Sequence, residues 1–169
     1  MKRYNVLVTG VGAIIGYGII KSLRASGLDV NIVGMDIFAD AVGRHWCDSF
    51  VKAVPAAADN YAHFMRSLIE THDIDLVLPG IEQDMYRLNS ESGAFDGLKV
   101  KLALNNRELI ELSRDKWDTY RKLKSSGFRV IDSLIDSDFN TAADALGTPM
   151  LIKPRRSYAS KGIKIISDE

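Results

Sequence analysis

The chain has 169 residues, enough for one domain and part of a second, and its 22 lysines and arginines balance its 22 aspartates and glutamates. This balance excludes a broadly basic protein built to bind nucleic acid, and 46% hydrophobic residues exclude a disordered chain. The single cysteine, Cys47, excludes an internal disulfide and a cysteine-based metal site, which favours a reducing, cytoplasmic setting.

The amino-terminal segment predicts a strand, a glycine-rich turn and a helix. YNVLVTG is apolar and of strand length, and helical spacing of Ile15, Ile19 and Leu23 continues until Gly27. The uncharged run 4–20 contains four glycines and lacks a convincing cleavage site, which argues against a signal peptide or a membrane span.

The next elements extend this pattern. VNIVGMD and IDLVLPG predict two buried strands, NYAHFMRSLIETH predicts the helix between them, and a helix near EQDMYRLNSES and a strand at LKVKLAL follow. Continuous apolar strands that alternate with helices are typical of a parallel sheet covered on both faces. We therefore predict that residues 1–105 form a Rossmann-like, doubly wound α/β domain.

The pattern changes near Asn105. NNRELIELSRDKWDTYRKLKSSGF predicts two helices, with Ser113 as the N-cap of the second and Gly127 as its stop. A short strand near FRVIDSLI, a helix in DFNTAADALG and a hairpin of PMLIKP and GIKIISDE should follow. Residues 106–169 are thus predicted to be α+β and, because about 65 residues are marginal for an independent core, to begin a longer domain.

The glycine-rich turn leaves three interpretations open. The stretch GVGAIIGYG follows the first strand, where open α/β sheets bind ligands and where helix amides can face an anion. Its spacing is GxGxxxG rather than the dinucleotide fingerprint, although Asp36 stands near the position of a ribose-binding acid. An anion or carboxylate site at Gly10 and Gly12, a nicotinamide cofactor, and simple close packing through Gly16 and Gly18 all fit.

A concentrated positive loop stands near the end of the chain. LIKPRRSYASKGIKI, residues Leu151–Ile165, holds five cations and no acid. Lys153 follows an apolar strand and precedes Pro154, so its ammonium starts from a rigid position. Ser157, Ser160 and Gly162 add hydroxyls and accessible backbone amides, and Lys161 adds a further cation. All of these groups are suited to binding phosphate. The alternative is a solvated hairpin turn whose cations only maintain solubility.

These stretches resemble a known family. DKWDTYRKLKSSGFRV followed by LGTPMLIKPRRSYASKGIKII resembles the opening of the ATP-grasp fold, and DLVLPGIEQDM resembles part of the domain that precedes it. The resemblance runs in order through all 169 residues and is strongest to proteins similar to the carbamoyl-phosphate synthase large subunit. It implies a Rossmann-like pre-ATP-grasp domain over residues 1–105 and the N-terminal subdomain of an ATP-grasp fold over 106–169.

The resemblance also implies roles for residues. Lys116 and Lys153 match lysines that contact the nucleotide in the family. Ser157, Ser160, Lys161 and Gly162 match the loop that closes over the β- and γ-phosphates. Departures from the family pattern occur at Arg155, Arg156 and Tyr158, which either read a particular acceptor or shield the turn. Gly10, Gly12 and Glu82 match positions that line the substrate site in the family, and Asp84 lies beside them in sequence. Glu82 and Asp84 could instead be acids at a helix N-terminus that interact favourably with the helix dipole. Asp36 becomes a turn residue or a minor substrate contact.

The resemblance implies an ATP-dependent ligase that joins a small-molecule carboxylate to an amine or similar nucleophile, with ATP and Mg²⁺ as cofactors. The metal ligands are expected beyond residue 169, so we expect the chain alone not to turn over ATP. No catalytic residue is assigned, no nucleic-acid or membrane partner is expected, and a homo-oligomer stays open. The alternatives are an NAD(P)-binding reductase, a nucleotide-sensing domain and a non-catalytic scaffold.

Two further clusters are interpreted as packing. RHWCD brings His45 next to Cys47, but neighbouring residues point in different directions and rarely form a catalytic pair. Trp117 and Tyr120 are too sparse for a nucleic-acid stacking surface.

Overall fold

The computed structural model describes residues 3–157 and 160–167, and the chain divides into two compact units, Met1–Asn105 and Asn106–Glu169. The division falls where the sequence changes from alternating apolar strands to charged helices. Each unit has a sheet of its own.

A five-stranded sheet forms the centre of the first unit. Its strands are β1 (Tyr4–Thr9), β2 (Val30–Asp36), β3 (Ser49–Lys52), β4 (Leu76–Leu78) and β5 (Lys101–Leu102). They lie in the order β3-β2-β1-β4-β5, and every neighbouring pair is parallel. The predicted parallel sheet is confirmed. Because strand order reverses beside β1, the carboxyl end of β1 lies at the switch point where such sheets bind ligands.

Helices cover both faces of this sheet. The crossovers contain α1 (Ile14–Ala25), α2 (Tyr61–Thr71) and α3 (Glu82–Ser90), with short 3-10 turns at Val42–Trp46 and Ser92–Phe95. Alternate residues of a strand face opposite sides. Val6 and Val8 accordingly pack with Ile20 of α1, whereas Leu7 packs in the cluster that contains α2 and α3. The unit is therefore doubly wound, as the sequence predicts.

The edge strands differ from the prediction. β3 was missing from the predicted elements, because SFVK is short and carries a serine and a lysine instead of a continuous apolar run. β5 contains two residues, although LKVKLAL predicted a longer strand. Both are edge strands with one neighbour in the sheet, and their shortness limits the number of backbone groups left unpaired on the outer side.

The second unit combines three helices with a hairpin. It contains α4 (Arg107–Ser113), α5 (Lys116–Ser125), α6 (Phe139–Leu146), β6 (Met150–Ile152) and β7 (Lys164–Ile166). β6 and β7 pair antiparallel, with Leu151 opposite Ile165. The predicted α+β character and the hairpin are confirmed.

Two details of the second unit correct the prediction. Ser113 is the last residue of α4, and its hydroxyl donates to the carbonyl of Ile110; the N-cap of α5 is Asp115. FRVIDSLI pairs with no strand in the described residues, and Ile131 within it is 89% exposed. Gly127 does follow the end of α5, with the positive φ of 81° that favours glycine at this position.

The two units differ in their cores. Two clusters of buried apolar residues fill the first unit. Among the described residues of the second unit only Ile110 and Asp115 are buried. No helix in the described ranges has both the length and the apolar character that crossing a membrane requires.

Candidate functional site

Lys153 stands at the entrance of the cationic hairpin of the second unit. β6 ends at Ile152, and Pro154 fixes the backbone on the other side of Lys153 because its ring restricts φ. The Lys153 side chain is exposed, and it has no ion-pair partner among residues 3–157 and 160–167. Its ammonium group is therefore available to an anionic ligand.

Lys116 meets the same hairpin from α5. As the first residue of that helix it follows the N-cap Asp115, and its backbone N–H donates to the carbonyl of Arg155 at 3.1 Å. Its Nζ donates to the carbonyl oxygen of Ser157 at 3.0 Å and to the Ser157 hydroxyl at 3.2 Å. The structure thus brings Lys116 onto the loop that begins at Lys153.

Both lysines line one cavity of about 1010 Å³ within the second unit. Its wall also includes segment 131–139 and residues of α6 and β6, most of them apolar. Arg155 and three aspartates, Asp132, Asp136 and Asp138, also line it. A concave, largely apolar space with a small number of polar and charged groups is the usual form of a site for a small molecule.

The remaining predicted loop residues lie on the turn between β6 and β7. Ser160 and Gly162 have positive φ angles of 58° and 75°, and the Ser160 carbonyl accepts a bond from Ile163 N–H. A Cβ at Gly162 would lie 2.7 Å from Cγ of Pro154, so this close approach requires glycine. Lys161 is exposed on this turn, and Tyr158 lies outside the described residues.

Arg155 and Arg156 are exposed, but both pair with the buried Asp115. Arg155 donates from Nε to Asp115 Oδ1 at 3.0 Å, and its Nη2 lies 2.9 Å from Oδ2. Arg156 adds a contact of 3.3 Å from Nε to Oδ2. The hydrogen bond from Arg155 lowers the pKa of Asp115 to about 2. Neither interpretation of these arginines in the sequence, acceptor recognition or shielding of the turn, included this pairing.

The glycine-rich turn of the first unit is closely packed. Gly10 is buried, with φ of 57°, and a Cβ there would lie 2.5 Å from Cγ2 of Ile81. A Cβ at Gly16 would lie 2.2 Å from the carbonyl oxygen of Gly10, whereas Gly18 has open space around it. The packing interpretation therefore holds for Gly16 and fails for Gly18.

Asp36 closes the same turn. Its Oδ2 accepts the Gly12 N–H at 2.8 Å, and its Oδ1 accepts the Phe38 N–H at 3.0 Å. Asp36 is thus a buried residue at the end of β2, and its carboxylate accepts hydrogen bonds from backbone amides of the two turns beside it. The N–H of Gly12 already has an acceptor in the protein.

Glu82 and Asp84 both occupy the first turn of α3, but they differ in exposure. Glu82 is exposed at the carboxyl edge of the sheet. Asp84 is buried, and its Oδ1 accepts the hydroxyl of Tyr61 at 2.8 Å. Desolvation raises the pKa of Asp84, although hydrogen bonds from Thr9 and Tyr61 oppose the shift. Of the two acids only Glu82 can meet a dissolved ligand directly.

The remaining clusters are packed. Cys47 donates to the carbonyl of Gly43 at 3.3 Å, and burial raises the pKa of its thiol to about 11, which leaves it a poor nucleophile. Trp117 and Tyr120 stack on each other with ring centroids 5.1 Å apart. No group of three or more metal-ligating side chains occurs in the part of the chain that the structure describes.

Sequence reasoning missed Asp115 and the Tyr61–Asp84 pair. A signal for Asp115 was present, because aspartate directly before the amphipathic stretch KWDTYRKL is a good N-cap. Nothing local could have indicated that Arg155 and Arg156 bond to it, since the partners are 40 and 41 positions apart. The same holds for the 23 positions between Tyr61 and Asp84.

No protein-family model and no curated protein matches the sequence. Solved structures do match. N5-carboxyaminoimidazole synthetase from Staphylococcus aureus in complex with ADP has a TM-score of 0.73 at 22% identity, covering 98% of this chain and 42% of that one. For N5-carboxyaminoimidazole ribonucleotide synthetase from Thermotoga maritima the TM-score is 0.62 at 19% identity, with 100% and 42% coverage.

A carboxylase gives a similar result. The biotin carboxylase domain of 2-oxoglutarate carboxylase from Hydrogenobacter thermophilus, in complex with MgADP, ADP and bicarbonate, has a TM-score of 0.67 at 22% identity, covering 97% of this chain and 37% of that one. The chain therefore shares its fold with a part of each of these enzymes. It spans less than half the length of each of these three proteins.

Proposed function

We propose that this chain is the amino-terminal portion of an ATP-dependent carboxylate–amine ligase, similar to the carbamoyl-phosphate synthase large subunit. Its second unit would bind the phosphates of ATP, and its first unit would hold the carboxylate substrate. The observation that carries the proposal is the meeting of two sequence-distant lysines, Lys116 and Lys153, at one cavity, with the Lys116 ammonium bonded to Ser157 of the cationic loop.

The comparisons support the nucleotide part of this proposal. The matching Staphylococcus aureus enzyme is in complex with ADP, and the Hydrogenobacter thermophilus domain is in complex with MgADP and bicarbonate, a small carboxylate-like anion. This chain shares their fold, so we assign it the same classes of ligand, ATP and a small carboxylate. The particular carboxylate and nucleophile would be set by residues that differ between such enzymes.

In a ligase of this type the carboxylate oxygen forms a bond to Pγ as the bond from Pγ to the bridging oxygen of ADP breaks. The nucleophile then attacks the acyl carbon, and phosphate leaves. The protein contributes mainly by positioning the reactants and neutralising charge. Lys116 and Lys153 would hold phosphate oxygens, Lys161 would add a third cation, and Ser157, Ser160 and Gly162 would supply hydroxyls and amides.

Mg²⁺ fits the reaction but not the described residues. It requires oxygen ligands, normally carboxylates together with phosphates. The described ranges contain no group of three or more His, Cys, Asp or Glu side chains placed so that it could hold a metal ion. We therefore derive no step through the metal.

The substrate side would use the carboxyl edge of the first sheet. Glu82 is exposed there and can accept a hydrogen bond from an amine or hydroxyl of the substrate. Gly12 would offer backbone surface, while Gly10 lies beneath Ile81 and would act by shaping the turn. Asp36 accepts hydrogen bonds from the backbone amides of Gly12 and Phe38, and this favours a role in holding the turn over binding of a cofactor ribose.

The test is calorimetric titration of the chain with a non-hydrolysable ATP analogue and, separately, with NADH. We expect binding of the ATP analogue and none of NADH. Lys153→Ala should weaken analogue binding about 10- to 100-fold, the equivalent of one charge-assisted hydrogen bond. Lys122→Ala, which removes an exposed lysine of α5, is the matched control and should leave affinity unchanged. Equal affinity in Lys153→Ala and the parent chain would defeat the assignment.

A further inference from the structure

We propose that Asp115 is a positioning residue: held by Arg155 and Arg156, it ties the cationic hairpin to the first turn of α5 and so sets the spacing of Lys116 and Lys153. The inference rests on the proposed function, since it assigns the spacing to phosphate binding. On this proposal Arg155 and Arg156 hold the loop in place and do not themselves bind the nucleotide.

Asp115 joins two separate pieces of chain through its buried carboxylate, and Arg155 has a second, longer ion pair with Asp118 at 3.7 Å. Oδ1 of Asp115 accepts the N–H groups of Trp117 and Asp118 at 3.0 and 3.3 Å, which caps α5. The same carboxylate meets the guanidinium of Arg155 through both of its oxygens and that of Arg156 through Oδ2. Only 2% of Asp115 is exposed. A two-point contact of this kind restrains orientation as well as distance.

The backbone of the hairpin is tied at the same place. The Arg155 carbonyl accepts the N–H of Lys116, and the Ser157 carbonyl accepts its Nζ. Residues 155–157 therefore contact the start of α5 through main chain and side chains together. We call the contacts of Asp115 with Arg155 and Arg156 the clamp. Lys153 stands two positions before Arg155, so loss of the clamp would allow Lys153 and Lys116 to separate.

The clamp also divides the cations of the loop into two classes. Arg155 and Arg156 have their guanidinium groups on Asp115, whereas Lys153 has no such acidic partner among the described residues. Two of the five cations between Leu151 and Ile165 thus serve the architecture of the loop. Preorganised cations lose less conformational freedom on binding an anion than mobile ones do.

The experiment uses Asp115→Asn, Arg155→Lys, the double variant, and Arg129→Lys as a control at an exposed arginine of the same unit. Asparagine is as good an N-cap as aspartate, so Asp115→Asn keeps the cap of α5 while removing the charge that holds the arginines. Lysine at 155 keeps the charge but cannot form the two-point contact. Affinity is measured for ATP analogue and for adenosine, and local opening by the rate of tryptic cleavage after residues 155 and 156.

We expect Asp115→Asn to weaken binding of the ATP analogue about tenfold, to leave adenosine affinity unchanged, and to accelerate cleavage at these two sites. The double variant should lose no more affinity than Asp115→Asn alone, because both changes break one contact. Equal loss for adenosine, additive losses, or unchanged cleavage would overturn the clamp. If the parent chain binds no ATP analogue, the proposed function fails, and cleavage in Asp115→Asn then decides alone whether the clamp exists.

Discussion

The two units use a buried aspartate in opposite ways. Asp84 of the first unit is buried and bonded to the neutral hydroxyls of Tyr61 and Thr9, and burial raises its pKa. Asp115 of the second unit is just as inaccessible but is bonded to two guanidinium groups, and its pKa falls to about 2. Exposure alone therefore does not determine the state of a carboxyl group; the charge of its partners does.

The same contrast extends to what holds each unit together. The first unit buries two apolar clusters against a parallel sheet. In the second unit several large apolar side chains are exposed, among them Ile131, Leu151 and Ile165, and polar links between α5 and the hairpin provide much of the order. Apolar burial holds the first unit, and directional contacts hold the second.

The largest expected effect of this difference is in amide hydrogen exchange. Amides of β1 and β2 lie in a sheet buried on both faces, whereas those of β6 and β7 belong to a two-stranded hairpin. We expect exchange in β6 and β7 to be faster by about a hundredfold or more, because local opening there exposes little buried apolar surface. Mass spectrometry of peptic fragments measures both regions in one experiment. Equal protection of the amides in the two sheets would contradict the proposed difference between the two units.

Truncation of apolar side chains should sharpen the same contrast. Leu7 is fully buried, so Leu7→Ala should lower the free energy of unfolding by about 2–5 kcal/mol. Ile165 is 71% exposed, so Ile165→Ala should change it by less than about 0.5 kcal/mol. Urea unfolding followed by circular dichroism gives both values. A large loss on truncating Ile165 would mean that the second unit has an apolar core after all.

Removing one hydroxyl tests the polar network of the first unit. Tyr61→Phe keeps the ring but leaves Asp84 with Thr9 as its hydroxyl donor, and we expect a loss of about 1–3 kcal/mol. The matched control is Tyr120→Phe, which loses only an exposed contact with Lys124 and should be close to neutral. Thermal and urea unfolding of the two variants provide the comparison. Similar losses in both would show that burial of the Tyr61 hydroxyl has no particular importance.

The smallest expected effects are in the pH dependence of stability, and they have opposite signs. Folding raises the pKa of Asp84 above its ordinary value of 3.8. The contribution of Asp84 to stability is therefore complete below pH 3.8 and is lost as the pH rises through the raised pKa. Folding lowers the pKa of Asp115, so its contribution is present above 3.8 and is lost as pH falls towards about 2. The stability of the parent relative to Asp84→Asn should fall with rising pH, and relative to Asp115→Asn it should fall with falling pH. Denaturant titrations at several pH values measure both trends. If the two differences changed in the same direction with pH, the assignment would be contradicted.

Much of the fold could be predicted from the sequence, because apolar runs and their spacing are local properties. The order of β1, α1, β2, α2, β4 and α3 follows from such runs, and Gly127 ends α5 as expected. β3 was missed because its four residues carry too little apolar signal. The hairpin was found because its two apolar runs are close together.

The candidate site was only partly predictable. Lys116 and Lys153 were identified through a family resemblance, and the structure brings both to one cavity. The partners of Asp36 and Asp115 could not be identified, since a hydrogen bond to a distant amide or guanidinium leaves no trace in local spacing. The resemblance therefore pointed to the candidate residues, and the structure was needed to find their partners.

The most direct test of the convergence of Lys116 and Lys153 on a phosphate tail is a series of titrations with an ATP analogue, ADP and AMP. The parent chain should bind them in the order of their phosphate number. In the double variant Lys116→Ala/Lys153→Ala the differences between the three affinities should become much smaller, because two of the cations that hold the terminal phosphates are gone. A double variant that still discriminates between the ATP analogue and AMP as strongly as the parent would contradict the account.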